Sequence, residues 1–148
     1  MQKTLTNARV RHELLDRLER LNPDATPRLG TMNAPQMLAH LVDWMQMAKG
    51  ELETAVGNRV VRYPPLKQLV IYWLPFPKGI PTAPELIRRQ PSAWAVEHAV
   101  MCRHIESFAK RDPNATWPVH PAFGKLSRRA WGVLAYRHTD HHLRQFGT

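Results

Sequence analysis

One cysteine in 148 residues, Cys102, leaves no partner for an internal disulfide and fits a reducing compartment; its expected role is to fill a small apolar gap. Carboxylates are scarce as well, with 12 Asp and Glu against 21 Lys and Arg, for a formal charge of +9. Such an excess can signal an acidic partner, but the basic residues stand in ones and twos (Arg9, Arg11, Arg17, Arg20, Arg59, Arg62, Arg88, Arg89, Arg128, Arg129). No basic tract, RNA-binding signature or zinc-finger spacing is present, so the reading is a solvated basic face and no nucleic-acid partner. No stretch approaches the roughly 20 apolar residues of a membrane span. The first residues carry charges where a signal peptide needs an apolar run, so the expected location is cytoplasmic. Internal repeats are absent too.

What is present suits one compact domain over residues 1–148: 43% hydrophobic content and five tryptophans can build a single core. Residues 7–21 place Val10, Leu14, Leu18 and Leu21 on one helical stripe, which Asn22 and Pro23 end. A second helix opens at Asn33, with Pro35 in its first turn and Gln36 at the capping-box position, and stops at Gly50. Residues 51–90 are too rich in proline for a long helix. Their apolar core, residues 69–74, reads as a short helix or strand inside a flap that packs on the rest or covers a site. Ser92 is the expected cap of a third long helix over 92–110, with Trp94, His98, Met101, Cys102, Ile105 and Phe108 along a stripe. Asp112, Pro113 and Asn114 end it. A loop through His120 leads to a Ser127 cap and a final helix through Phe146, closed by Gly147. The fold class is therefore all-α, a four-helix bundle with a long Pro-rich connection between its second and third helices.

Three of eight histidines fall within five residues of that final helix: His138, His141 and His142. At about 100° per residue, and with Trp131 as zero, His138 falls at about −20° and His142 at about +20°, straight toward the core. His141 falls at about −80°, at the edge of that face, and Asp140 at about 180°, toward solvent. Two buried imidazoles stacked one turn apart need partners, and a shared metal ion or an internal hydrogen-bonded pair would each supply them. A third ligand must come from another helix. His40, in the apolar arc of Met37, Leu41, Trp44 and Met47, is the first candidate and His98 the second. His12 and His104, among charged neighbours, are expected in solvent.

The run His138-Thr139-Asp140-His141-His142-Leu143-Arg144-Gln145 resembles the last helix of the DinB/YfiT-like superfamily, in which a second His follows the first after three residues and a Gln comes three later. Residues 32–41, with His40, look like that superfamily's other ligand helix. His120-Pro121-Ala122-Phe123-Gly124 and the closing His-His-Leu-Arg-Gln-Phe-Gly are similar to an uncharacterised branch of it. The resemblance implies a four-helix bundle and a divalent ion, commonly zinc or nickel, on three histidines that map onto His40, His138 and His142. It also implies homodimers in many members, and relatives that act as thiol-dependent transferases, isomerases or metal-dependent hydrolases. The 51–90 stretch is longer than the plain bundle needs and leaves the substrate unassigned.

If the ion is zinc, three neutral imidazoles leave one position for water, the arrangement of a catalytic site. His141 and His120 are the candidate catalytic residues, as a base or as substrate contacts; His120 could equally tie its loop to the bundle. Asp43 is a candidate to orient an imidazole. The Glu that follows the first His of a zincin is missing, which disfavours peptide hydrolysis. Two function classes remain: a metal-dependent enzyme on a small-molecule substrate, by hydrolysis or thiol transfer, and a non-catalytic metal- or ligand-binding module.

Overall fold

The computed structural model describes residues 2–57, 60–75 and 82–148. Among them the chain is all helical: α1 (Ala8–Glu19), α2 (Ala34–Lys49), α3 (Leu66–Tyr72), α4 (Trp94–Lys110) and α5 (Arg128–Gln145), with 3₁₀ turns at Val60–Arg62 and Pro84–Leu86. The helices are five, where the sequence suggested four, because the apolar part of the Pro-rich stretch forms α3. Residues 58–59 and 76–81, which include most of the Pro-Phe-Pro-Lys-Gly and Ile-Pro motifs, lie outside the described residues.

Local chemistry sets the helix ends. The Asn7 side chain accepts from the N–H groups of Arg9 and Val10. Asn33 and Gln36 complete a reciprocal capping box at 2.9 and 3.0 Å, satisfying donors that the first turn of α2 leaves open. Gly50 closes α2 in the left-handed region at φ 82°, where a side chain would be strained. Ser127 caps α5 through Ala130. Ser92 does not cap α4 as expected: the N-cap is Ala93, without a side-chain bond, and the Ser92 N–H donates instead to Glu97 Oε1 at 2.8 Å.

Each of α1 and α2 packs against both α4 and α5. The expected stripes are buried between them, including Leu14 and Leu18 of α1, Met37 and Leu41 of α2, Met101 and Ile105 of α4, and Trp131 and Leu134 of α5. Because α4 is covered on two sides, its buried arc is wider than its apolar stripe and takes in Glu97 and His104. His104 was expected in solvent and is buried; His12 is exposed as expected. At the far side of α5, Gly132 lets the N-terminal segment cross closely, with the Leu5 N–H bonded to its carbonyl at 3.1 Å. A Cβ there would stand 2.3 Å from Thr4 Oγ1. α3 docks on α5 through Arg137, whose guanidinium donates to the carbonyls of Val70, Ile71 and Leu74, acceptors that a helix end leaves unsatisfied.

Candidate metal centre

α2 and α5 bring His40, His138 and His142 together. One donor atom of each lies within 4.8 Å of the other two, and the three ring centroids are 4.7 to 5.0 Å apart. The helical angles that pointed His138 and His142 inward, and the choice of His40 over His98 as the third member, agree with this arrangement. His98 instead faces α1, where its Nε2 donates to the Leu18 carbonyl at 3.2 Å.

The tautomers of His40 and His142 are set from outside the cluster. His40 Nδ1 is 2.9 Å from the carbonyl oxygen of Leu86, which can only accept, so Nδ1 carries the proton and Nε2 the lone pair. His142 Nδ1 donates to Gln145 Oε1 at 2.8 Å, which leaves its Nε2 as an acceptor as well. His138 lies with its Nε2 3.0 Å from His40 Nε2 and its ring stacked on Trp44 at 5.0 Å and 17°. A single Nε2–H on His138 can answer one of those two acceptors at a time, whereas a cation answers all three nitrogens at once. Two imidazole nitrogens on one tetrahedral zinc stand about 3.3 Å apart, within a few tenths of the His40–His138 separation. The donor set fits a divalent ion.

Electrostatics prepare the rings for that task. Burial lowers the pKa of His40; it takes His142 down to about 3, with His40 adding to the effect, and holds His138 well below the usual imidazole range, helped by the neighbouring histidines. All three are therefore neutral at pH 7, as ligands must be.

His141 is half-buried at the edge of the cluster, its ring 5.2 Å from that of His142. The Gln145 amide that accepts from His142 also donates to His141 Nε2, at 3.4 Å, so one side chain orients two imidazoles. His120 is buried against Trp131 and Phe123, and its Nδ1 accepts from the N–H groups of Ala122 and Phe123 at 3.1 and 3.2 Å. A paired His120–Gly124 backbone bridge closes the same turn. The lone pair of His120 is thus spent on its own loop, burial holds its pKa at about 3, and what its ring can still offer is an Nε2–H donor.

Asp43 and Asp140 take other places than the sequence suggested. Asp43 is buried but orients no imidazole; it binds Arg89 Nε at 2.8 Å. Arg89 also pairs with buried Glu97 and donates to the Ala39 carbonyl, so one guanidinium holds two carboxylates from α2 and α4. Burial raises the Asp43 pKa against the pull of Arg89, while the bond to Arg89 holds Glu97 low. Asp140 is not in solvent: it pairs with Arg17 of α1 at 2.7 Å and Arg144 at 2.9 Å, because α1 covers that face of α5.

Beside His40 opens a cavity of about 220 Å³ lined by Met32, Gln36, Asp43, Leu86 and Arg89 among others. The far end of the Pro-rich connection forms one of its walls, so the stretch read as a flap does border the site. Sequence reasoning assigned no role to Gln145, Arg89, Glu97 or the Leu86 carbonyl. Gln145 was findable, since it stands three and four residues after His142 and His141 on one helix; the Leu86 carbonyl carries no side-chain signal.

No helix among the described residues is long and apolar enough to cross a membrane. No curated protein and no solved structure matches the chain significantly. The family model of the DinB superfamily, by contrast, matches residues 6–146, from the cap of α1 through the last turn of α5 and so across every histidine of the cluster: the chain belongs to the DinB superfamily.

Proposed function

We propose that His40, His138 and His142 hold one divalent cation, zinc or nickel, and that the protein is a metal-dependent enzyme that activates water or a thiol toward a small-molecule substrate. The four long helices would then act as the superfamily's four-helix bundle, with α3 as an addition, and the protein as a cytoplasmic homodimer. The observation that carries the reading is the fixing of the His40 and His142 tautomers by Leu86 and Gln145, which turns two lone pairs toward a shared centre. A cation bound there lowers the pKa of a bound water or stabilises a thiolate.

The chain's own residues supply the rest. His141, half-buried with a lowered pKa, is neutral at pH 7; its one lone pair, on Nε2, faces the Gln145 amide at 3.4 Å, so it accepts a proton beside the cluster by giving up that long bond. His120 can present its Nε2–H to a substrate oxygen while its Nδ1 stays engaged in the loop. The cavity of about 220 Å³ is below the roughly 300 Å³ at which drug-sized pockets begin, which favours a small substrate. Hydrolysis and thiol-dependent transfer both fit this equipment.

Untagged Cys102→Ser protein, which lacks the chain's one thiol, is expected by elemental mass spectrometry to carry close to one divalent metal per chain, and the same protein with His138→Ala added, its far-ultraviolet dichroism unchanged, to carry none. Metal retained in that variant would sink the assignment. The depth of the cluster, with His40 at 3% and His142 at 7% exposure, favours a second reading in which the ion is structural and the protein a non-catalytic binding module. Exchange of the ion's fourth ligand with added thiols, seen as a spectral change in cobalt-substituted protein, separates the two.

A further inference from the structure

We propose that Glu19, His98 and Cys102 form a second cation site, on the α1–α4 face, selective for a thiophilic divalent ion such as zinc. His98 and Cys102 stand one turn apart on α4, and Glu19 is the last residue of α1. One ligand atom from each lies within 4.8 Å of the other two. The set shares no residue and no helix with the cluster of α2 and α5.

The geometry is that of an oriented ligand set. His98 Nε2 donates to the Leu18 carbonyl at 3.2 Å, so the ring's lone pair is on Nδ1, which faces Cys102 Sγ at 3.8 Å. A sulfur and a nitrogen on one tetrahedral zinc stand about 3.6 Å apart. Without an ion, the thiol keeps its proton and points it at Nδ1 as a weak donor; burial and the nearby Glu19 both raise its pKa. Binding displaces that proton to solvent and leaves a thiolate, an imidazole and a carboxylate around the ion, with a fourth position for water. The soft thiolate and borderline imidazole, with a single hard carboxylate, select zinc over magnesium or calcium. Cys102 and His98 are half-buried and Glu19 is exposed, so an ion can enter from solvent. A cysteine that merely filled an apolar gap would need neither an oriented imidazole nor a carboxylate beside it.

Cadmium gives a direct probe, because thiolate ligation produces a charge-transfer absorption in the ultraviolet and the three-histidine cluster contains no sulfur. Titration of the full chain should raise this band to saturation at one thiolate-bound cadmium per chain, and zinc should displace it. The band is expected to vanish in Cys102→Ser and to persist in His138→Ala. His98→Ala and Glu19→Gln should each weaken binding by at least about tenfold, the lower end of what even an orienting group is worth. Absence of the band, or a band whose affinity is unchanged in both His98→Ala and Glu19→Gln, overturns the proposal, the latter by showing a thiol binding alone.

Discussion

Lowering the pH should destabilise this protein, and His104 should supply a separable share of that loss beside His120 and the three clustered histidines. The ring lies in α4 at 7% exposure, and its Nδ1 has no hydrogen-bond partner among the described residues. Burial, then Lys49 and Arg103, bring its pKa from 6.5 down to about 4. A folded value below the unfolded one means that the unfolded chain takes the proton first as pH falls. The stability this ring contributes is therefore fully present above about pH 6.5 and is lost across the window from there down to about pH 4. At pH 5 an unfolded ring of pKa 6.5 is about 97% protonated and the folded one about 10%, a difference worth about 2 kcal/mol. Urea unfolding at pH 7.5 and pH 5.0, in the presence of a chelator, measures the loss in the parent and in His104→Leu. The variant is expected to lose about 2 kcal/mol less between the two pH values, with m unchanged. At pH 7.5 it should match or exceed the parent, since an unsatisfied buried nitrogen costs on the order of 1 kcal/mol. Parallel pH dependence in the two proteins, to within about 0.5 kcal/mol, would refute the assignment of this titration to His104.

Three further changes probe the supports of the site and of the fold. Arg89→Met strands Asp43 and Glu97 as buried carboxylates and should cost at least about 2 kcal/mol; a fall in melting temperature smaller than about 3 °C would show that water or protonation relieves them. Gly132→Ala drives a Cβ to 2.3 Å from Thr4 Oγ1 and should destabilise by about 1–3 kcal/mol, with Thr4→Ala restoring most of it; a neutral single variant would mean that the N-terminal segment is not packed on α5 in solution. Gln145→Leu removes the group that orients His142 and His141, so metal affinity measured against a competing chelator should drop about 10- to 100-fold while the melting temperature of the metal-free protein holds. Equal affinity would assign His142 another orienting partner.

Positions on single helices were the legible part of this structure. Asn33 with Gln36, Gly50 and Ser127 announce helix ends because capping is local chemistry, decided within four residues. The 100° rotation per residue separates His138 and His142 from His141 for the same reason. What one helix cannot report is how many neighbours cover it. His104 looked solvated because Arg103 and Glu106 flank it, yet α4 is enclosed on two sides and its ring is buried. Asp140 is opposite the histidine pair as the angles require, but α1 lies there and supplies Arg17. Ser92 had the residue type and spacing of a cap, and Glu97 took its N–H for a network organised by Arg89. Arg89 itself sits in a stretch with no periodicity to read.

The His40–His138 contact joins positions 98 residues apart in the chain. In the unfolded state, closing a loop of that length costs on the order of 4 kcal/mol, so three imidazoles cannot be gathered there, and what survives is at best the adjacent pair of α5. Folding meets that cost in advance through the packing of α2 on α5. Any ion held by all three rings is therefore held by the native state alone, and its free concentration sets the protein's stability: an excess of about a hundredfold over the dissociation constant adds about 2.7 kcal/mol. The folded population would then rise and fall with the supply of metal, making the chain's own abundance a readout of the ion it carries.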